Sequence, residues 1–173
     1  MPWRWGLISY NPTVRRGIDN MSFANVVAQE IDEFDPDAVF IDGGRGEGVI
    51  DRLRQLGHDV IQVDFGSTQT INEGYHNRRS EMWDRMKEWI DEGGMLPPDK
   101  DLLLDLTKPT FQFTPTDNFK LESKEEIKKR SKNSPDLGDA LALTFAAPVG
   151  RRVMPHLPGG NPSGHNGDWE PDF

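Results

Sequence analysis

Residues 35–63, DPDAVFIDGGRGEGVIDRLRQLGHDVIQV, decide the fold. Asp35-Pro36-Asp37 interrupts whatever precedes it, because a proline disfavours helical backbone in the residue before it. Ala38–Ile41 is then a continuous apolar run, the pattern of a strand covered on both faces. Asp42 closes that strand and is followed by Gly43-Gly44-Arg45-Gly46-Glu47-Gly48, read as a loop. A helix is expected from about Gly48 to Leu56, with Val49, Ile50, Leu53 and Leu56 on one side and Gly57 as its stop. Val60–Val63 supplies a second strand. Strand, helix, strand within so short a span predicts two parallel strands with helices packed on them, an α/β protein.

Upstream, Trp3, Trp5, Leu7, Ile8 and Tyr10 suggest a short strand ended by Asn11-Pro12. Ser22 is read as the cap of a helix through about Phe34, whose apolar positions Phe23, Val26, Val27 and Ile31 recur at helical spacing. Downstream, residues 66–76 are polar and read as a loop. A long helix follows from about Asn77 to Asp91, turning Met82, Met86, Trp89 and Ile90 inward and ending at Gly93-Gly94. Leu102–Leu106 reads as a short helix. Thr110–Phe113 and Asn118–Leu121 read as a hairpin around Pro115-Thr116-Asp117. Ser123 and Glu126 form a capping box opening a basic helix to about Arg130. Ser134-Pro135 is read as cap and first-turn proline of a last helix reaching about Ala147. The division expected is an N-terminal segment over 1–21, one domain over 22–148 and a disordered tail over 149–173, where proline and glycine accumulate.

Composition narrows the chemistry. Of 173 residues, 35% are hydrophobic and 28% charged, which suits one globular domain. No apolar run is long enough for a membrane span, and no secretory signal is read at the start. There is no cysteine, so any metal must be held by carboxylate, histidine or water, which favours hard ions such as Mg²⁺ or Mn²⁺. A net charge of -9 argues against a protein that coats nucleic acid, since such proteins bind by neutralising phosphate. It is compatible with a nuclease that clusters carboxylates beneath a local basic rim.

Two acidic features stand out. Asp42 ends a parallel strand, the sheet edge where ligands gather in α/β folds; it reads equally as a cap of the next helix. In SPDLGDALAL (134–143), Asp136 and Asp139 lie three apart on a helix, with Cβ atoms within about 5–6 Å, and Gly138 between them lets another element or a ligand come close. Acids from distant segments that converge need a cation between them, and two divalent ions about 3.5–4 Å apart serve phosphodiester cleavage. Just upstream lie Lys120, Lys124, Lys128, Lys129, Arg130 and Lys132, either a solvated helix face or a rim for the DNA backbone. Arg45, Arg78 and Arg79 are further DNA-binding candidates. The four histidines show no ligand spacing and read as surface residues, and Trp83 and Trp89 read as core. A nucleotide-binding reading of the glycines fails on spacing, which is not G-x-G-x-x-G.

Four stretches, taken in order, resemble the C-terminal nuclease domain of bacteriophage large terminases: residues 35–53, NRRSEMWDRMKEWIDEGG (77–94), LTKPTFQFTPTDNFKLESKEEIKKR (106–130) and SPDLGDALALTFA (134–146). The last is also similar to the D-x-x-D-A-L ending of RuvC-type resolvases. The resemblance implies an RNase H-like fold, a mixed central sheet flanked by helices, and a Mg²⁺- or Mn²⁺-dependent endonuclease cutting concatemeric double-stranded DNA during genome packaging. It implies Asp42 as the second acidic ligand and Asp139 or Asp136 as the third. Implied partners are the terminase ATPase segment or chain, the small terminase and the portal, in host or, for a prophage, bacterial cytoplasm. The family's first strand, with its first aspartate, has no counterpart here: no Asp or Glu precedes Asp19, and no Walker-type loop occurs. The expectation is therefore an N-terminally truncated domain whose two acids bind metal weakly and whose cleavage of DNA by itself is inefficient. The alternative is a non-catalytic DNA-binding or assembly module of the packaging machinery.

Overall fold

The computed structural model describes residues 1–150, apart from the side chain of Arg45. A parallel pair, β3 (Phe40–Asp42) and β4 (Ile61–Val63), stands at its centre, with Asp42 opposite Val63. Successive side chains of a strand point to opposite faces, and both faces here are covered. Val39, Ile41 and Val60 join a core with α1 (Asn20–Phe34) and α2 (Gly43–Gln55), where Ala24, Val27, Val49, Ile50 and Leu53 are buried. Phe40 and Val63 join the other core, built on α3 (Arg78–Asp91) and α6 (Asp136–Leu143) around Met82, Trp83, Met86 and Leu141. The double coverage expected of Ala38–Ile41 is what the structure shows.

The remaining strands make two small antiparallel ladders, so the sheet comprises three two-stranded pieces. Residues 4–9 form a hairpin, β1 (Arg4–Trp5) with β2 (Ile8–Ser9), where one strand was expected; Gly6, at φ +55°, makes the reversal. It is docked onto the body: Arg4 Nη2 donates to the Thr144 carbonyl, its guanidinium lies 4.2 Å from the Phe145 ring centre, and Trp89 Nε1 donates to the Gly6 carbonyl. The third ladder is the expected hairpin, β5 (Phe111–Phe113) with β6 (Phe119–Leu121), in which Asp117 takes the left-handed turn position at φ 60°.

Three helix starts differ from expectation. Helix α1 is capped by Asp19, whose carboxylate accepts from the Met21 and Ser22 amides; Ser22 lies inside the first turn. Helix α2 begins at Gly43 rather than Gly48, so the glycine run is helical. Its first turn presses so close that a Cβ on Gly46 would stand 2.8 Å from Ile41 Cγ2, and one on Gly43 2.6 Å from Gln62 Nε2. The glycines serve helix-to-strand packing. Helix α6 is not capped by Ser134, whose hydroxyl donates to Asp136 Oδ1, and it ends at Leu143. Helices α4 (Lys100–Thr107) and α5 (Lys124–Ser131) stand where expected, α5 behind a complete Ser123/Glu126 capping box. No helix among the described residues is long and apolar enough to cross a membrane. The tail expected to be disordered lies, from residue 151 on, outside the described residues.

Candidate functional site

Asp139 is the focus of the strongest polar arrangement. It is buried, at 3% exposure, on the face of α6 that meets α3. Its Oδ1 accepts from Arg79 Nε at 2.8 Å and from Trp83 Nε1 at 2.8 Å. Gly138 explains how the indole gets there, since a Cβ at that position would stand 2.7 Å from Trp83 Cη2. The neighbour anticipated beside Gly138 is this ring. Asp139 Oδ2 is buried and accepts no hydrogen bond, while Lys124 Nζ stands 2.9 Å away as an ion pair. Arg79 also donates from Nη1 to the Glu122 carbonyl at 2.7 Å, and its Nη2 is a second buried polar atom with no hydrogen-bond partner. Buried polar groups are usually hydrogen-bonded, and here the Lys124 ammonium compensates Asp139 Oδ2 by charge.

A second carboxylate holds α6 in place. Pro135, at its N-cap, provides no side-chain acceptor, and the Leu137 amide instead donates to Asp105 Oδ2 from α4 at 2.8 Å. Lys108 Nζ neutralises the other oxygen of Asp105 at 2.6 Å. A third, Glu81, is fully buried on α3. It accepts from the Ile71 and Asn72 amides and pairs with Arg78 and Arg85, pinning the 66–76 loop to the helix.

Asp42 sits at the C-terminal end of β3, a strand that α6 contacts. Its Oδ1 accepts from the Gly44 amide at 3.1 Å, so it does cap α2. Asp64, one residue beyond β4, occupies the matching end of the neighbouring strand. Asp136 and Asp139 diverge: Asp136 is exposed and bonded to Ser134, whereas Asp139 points into the core. Among the described residues, no three His, Asp or Glu side chains gather as a metal-ion cluster.

The basic residues separate into two groups. Lys124 and Arg79 face Asp139, and Arg79, expected on a DNA-facing rim, is 6% exposed. Arg78 is tied to Glu81 and the Ala146 carbonyl, and Arg130 to Glu122 at 2.7 Å and the Lys108 carbonyl. Arg130 holds the Glu122 carboxyl below the usual range, chiefly by its hydrogen bond. Lys128 and Lys129 are exposed on α5. The side chain of Arg45 lies outside the description. His58 is half-buried, with Nδ1 3.9 Å from Asp32, rather than a surface residue. Trp83 and Trp89 are core, as expected.

A divalent ion takes anionic oxygens. Asp139 Oδ2 is one, but it is buried and already paired with Lys124 at 2.9 Å, so an ion there would have to displace the ammonium. Sequence reading picked out Asp139, Asp42 and the basic residues as candidates; it missed the indole on Asp139, the Asp105 cap and the buried Glu81.

No protein-family model matches the chain, and no curated protein does. Solved structures do. A lysine-to-alanine variant of the nuclease domain of the large terminase subunit gp2 of bacterial virus Sf6, solved with manganese, superposes with a TM-score of 0.68 at 18% identity, covering 85% of this chain and 82% of that one. The variant with calcium gives 0.66 at 18%, covering 85% and 81%. A further structure of the Sf6 gp2 nuclease domain gives 0.63 at 20%, covering 86% and 81%. The chain therefore has the RNase H-like fold of a phage large-terminase nuclease domain.

Proposed function

We propose that the chain is the metal-dependent endonuclease domain of a phage DNA-packaging terminase, acting on concatemeric double-stranded DNA with Mg²⁺ or Mn²⁺. The observation that carries this reading is Asp139: a buried carboxylate, fixed through one oxygen by Arg79 and Trp83, whose other oxygen accepts no hydrogen bond. Asp42 and Asp139 would hold the ion, Asp136 being the other candidate for the last acidic ligand. When bound, it supplies Lewis-acid polarisation of the phosphodiester. The chain's own residues prepare the ground. Arg79 and Trp83 fix the Asp139 rotamer, Lys124 balances its charge, and Lys128 and Lys129 offer exposed cations to the DNA backbone. That the Sf6 structures include one with manganese and one with calcium agrees with a divalent ion. Partners would be the terminase ATPase segment, the small terminase and the portal, in host or bacterial cytoplasm.

The test is plasmid nicking in Mn²⁺. Nicking by the wild-type chain that falls at least about a hundredfold in Asp139→Asn and Asp42→Asn supports the reading. Equal nicking in both variants excludes it.

One observation favours a second reading, a non-catalytic DNA-binding or assembly module. Asp139 is already compensated by two cations within 3 Å, and the described residues hold no three-carboxylate cluster. That module would bind DNA in a salt-sensitive way without hydrolysis, and charge reversal at Lys128 and Lys129 would weaken it.

A further inference from the structure

One face of the β5–β6 hairpin carries three aromatic rings beside the buried Leu121. Phe111 and Phe113 alternate along β5, and Phe119 stands opposite Phe113 on β6. Phe119 is the hub. Its ring stacks on Phe111 at 5.0 Å and meets Phe113 and Tyr75 edge-on at 6.1 and 6.0 Å. Phe111 and Phe113 are nonetheless 61% and 60% exposed. Two large rings left in water on a short hairpin are not explained by folding, since neither buries enough surface to stabilise it.

The rings border a groove of about 410 Å³ whose other wall is acidic. Glu73 and Asp84 line it, and Asp84 Oδ2 accepts the Tyr75 hydroxyl at 2.7 Å. Lys87 also lines the groove, and its Nζ donates to Asp91 Oδ2 at 2.6 Å, which offsets its charge. Aromatic ring faces carry negative charge and attract cations, most strongly where carboxylates stand beside them. A phosphate would meet those same carboxylates and be repelled, so the chemistry opposes a platform for nucleic-acid backbone. Arginine suits the groove best among side chains: its planar, weakly hydrated guanidinium stacks on rings while its edge donates to carboxylates.

We propose that this groove is a docking site for an arginine side chain presented by a partner protein. The site shares no residue with the Asp139 arrangement and does not depend on the nuclease reading. The hairpin supplies the stacking surface, Glu73 and Asp84 supply acceptors, and the Tyr75–Asp84 bond fixes the carboxylate.

The test uses the full chain labelled with ¹⁵N and titrated with acetyl-arginine amide, acetyl-citrulline amide and an oligothymidylate. The expected result is saturating shifts of the Gly74, Tyr75, Phe113 and Phe119 amides with the arginine compound, at a dissociation constant on the order of 1–10 mM for one side chain. Citrulline, which keeps the shape and loses the charge, should bind about tenfold more weakly or not at all. Phe113→Ala and Asp84→Asn should each weaken the arginine response at least about threefold. Phe113 is solvent-exposed, so its variant folds and keeps the test valid if Asp84→Asn does not. Absence of saturation, equal binding of citrulline, or shifts of these amides by oligothymidylate instead would overturn the proposal.

Discussion

Arg79 Nε and Asp139 Oδ1 meet at 2.8 Å across sixty residues of chain, both side chains under 10% exposed. This ion pair joins α3 to α6. Removing one partner of a buried pair strands the other charge, which costs roughly 3–5 kcal/mol. Arg79→Ala is therefore expected to lower the unfolding free energy by about that amount in urea titrations. The double variant Arg79→Met/Asp139→Leu should lose much less, because no charge is then left buried. A single-variant loss below ~1 kcal/mol would show that the pair is open to water in solution.

Lys124 makes a different contribution. Its side chain is 32% exposed and reaches only Oδ2, the oxygen with no hydrogen bond. A divalent ion taking that oxygen must compete with the ammonium. Lys124→Ala is expected to bind Mn²⁺ more tightly than wild type, and binding to the native state alone raises stability by about 2.7 kcal/mol at a hundredfold excess over the dissociation constant. Calorimetry would read this as a larger Mn²⁺-induced rise in melting temperature for the variant, with no need for activity. Equal rises in both proteins would place the ion away from Asp139.

Such long-range partners mark the boundary of what the sequence alone conveyed. Ser123/Glu126 capping, the extent of α3, the end of α1 at Phe34 and the parallel β3–β4 pair were all legible, because each is a local signal repeated in backbone chemistry or period. The start of α2 was not. Six residues with four glycines read as a loop on propensity, yet tertiary packing against Ile41 made them helical. The candidate site divides in the same way. Asp42, Asp139 and Lys124 were picked out by position, but their partners depend on how α3, α4 and α6 dock. Nothing near Asp105 in sequence announces that it caps a helix 32 residues away. The divergence of Asp136 from Asp139 was also hidden, since spacing three apart gives neighbours on a helix surface without fixing which is buried.

Tyr75 offers a spectroscopic check on the acidic groove. Burial, then the hydrogen bond to Asp84, push its phenol well above the usual tyrosine range. An acid whose folded pKa is raised favours the protonated native state. The stability it contributes is whole below the unfolded pKa of about 10 and is lost as pH climbs above it. The chain has two tyrosines, so assignment is simple. Alkaline titration of absorbance at 295 nm should show a late tyrosinate component that disappears in Tyr75→Phe and moves to lower pH in Asp84→Asn. A late component unchanged in Tyr75→Phe would mean the Asp84 contact does not form.

Two glycines that press against neighbouring side chains, Gly138 and Gly43, should respond differently to alanine. At Gly138 the new Cβ would stand 2.7 Å from Trp83 Cη2. That ring is buried and tethered by its Nε1 bond to Asp139, so it cannot swing aside without giving up the bond. The overpacking cost of roughly 1–3 kcal/mol then exceeds the gain in helix propensity of up to about 1 kcal/mol, and Gly138→Ala should destabilise the fold. At Gly43 the clash is nominally worse, 2.6 Å, but it falls on Nε2 of Gln62, the far end of an exposed, flexible side chain. Gln62 Cγ and Cδ, at 3.0 and 3.1 Å, must move as well, but the whole side chain is exposed and can swing aside, so Gly43→Ala should stay within about 0.5 kcal/mol of wild type. Urea midpoints of the two variants decide the matter. A larger loss at Gly43 than at Gly138 would mean that the first turn of α2, not the Trp83–Asp139 contact, is the tightest joint in the structure.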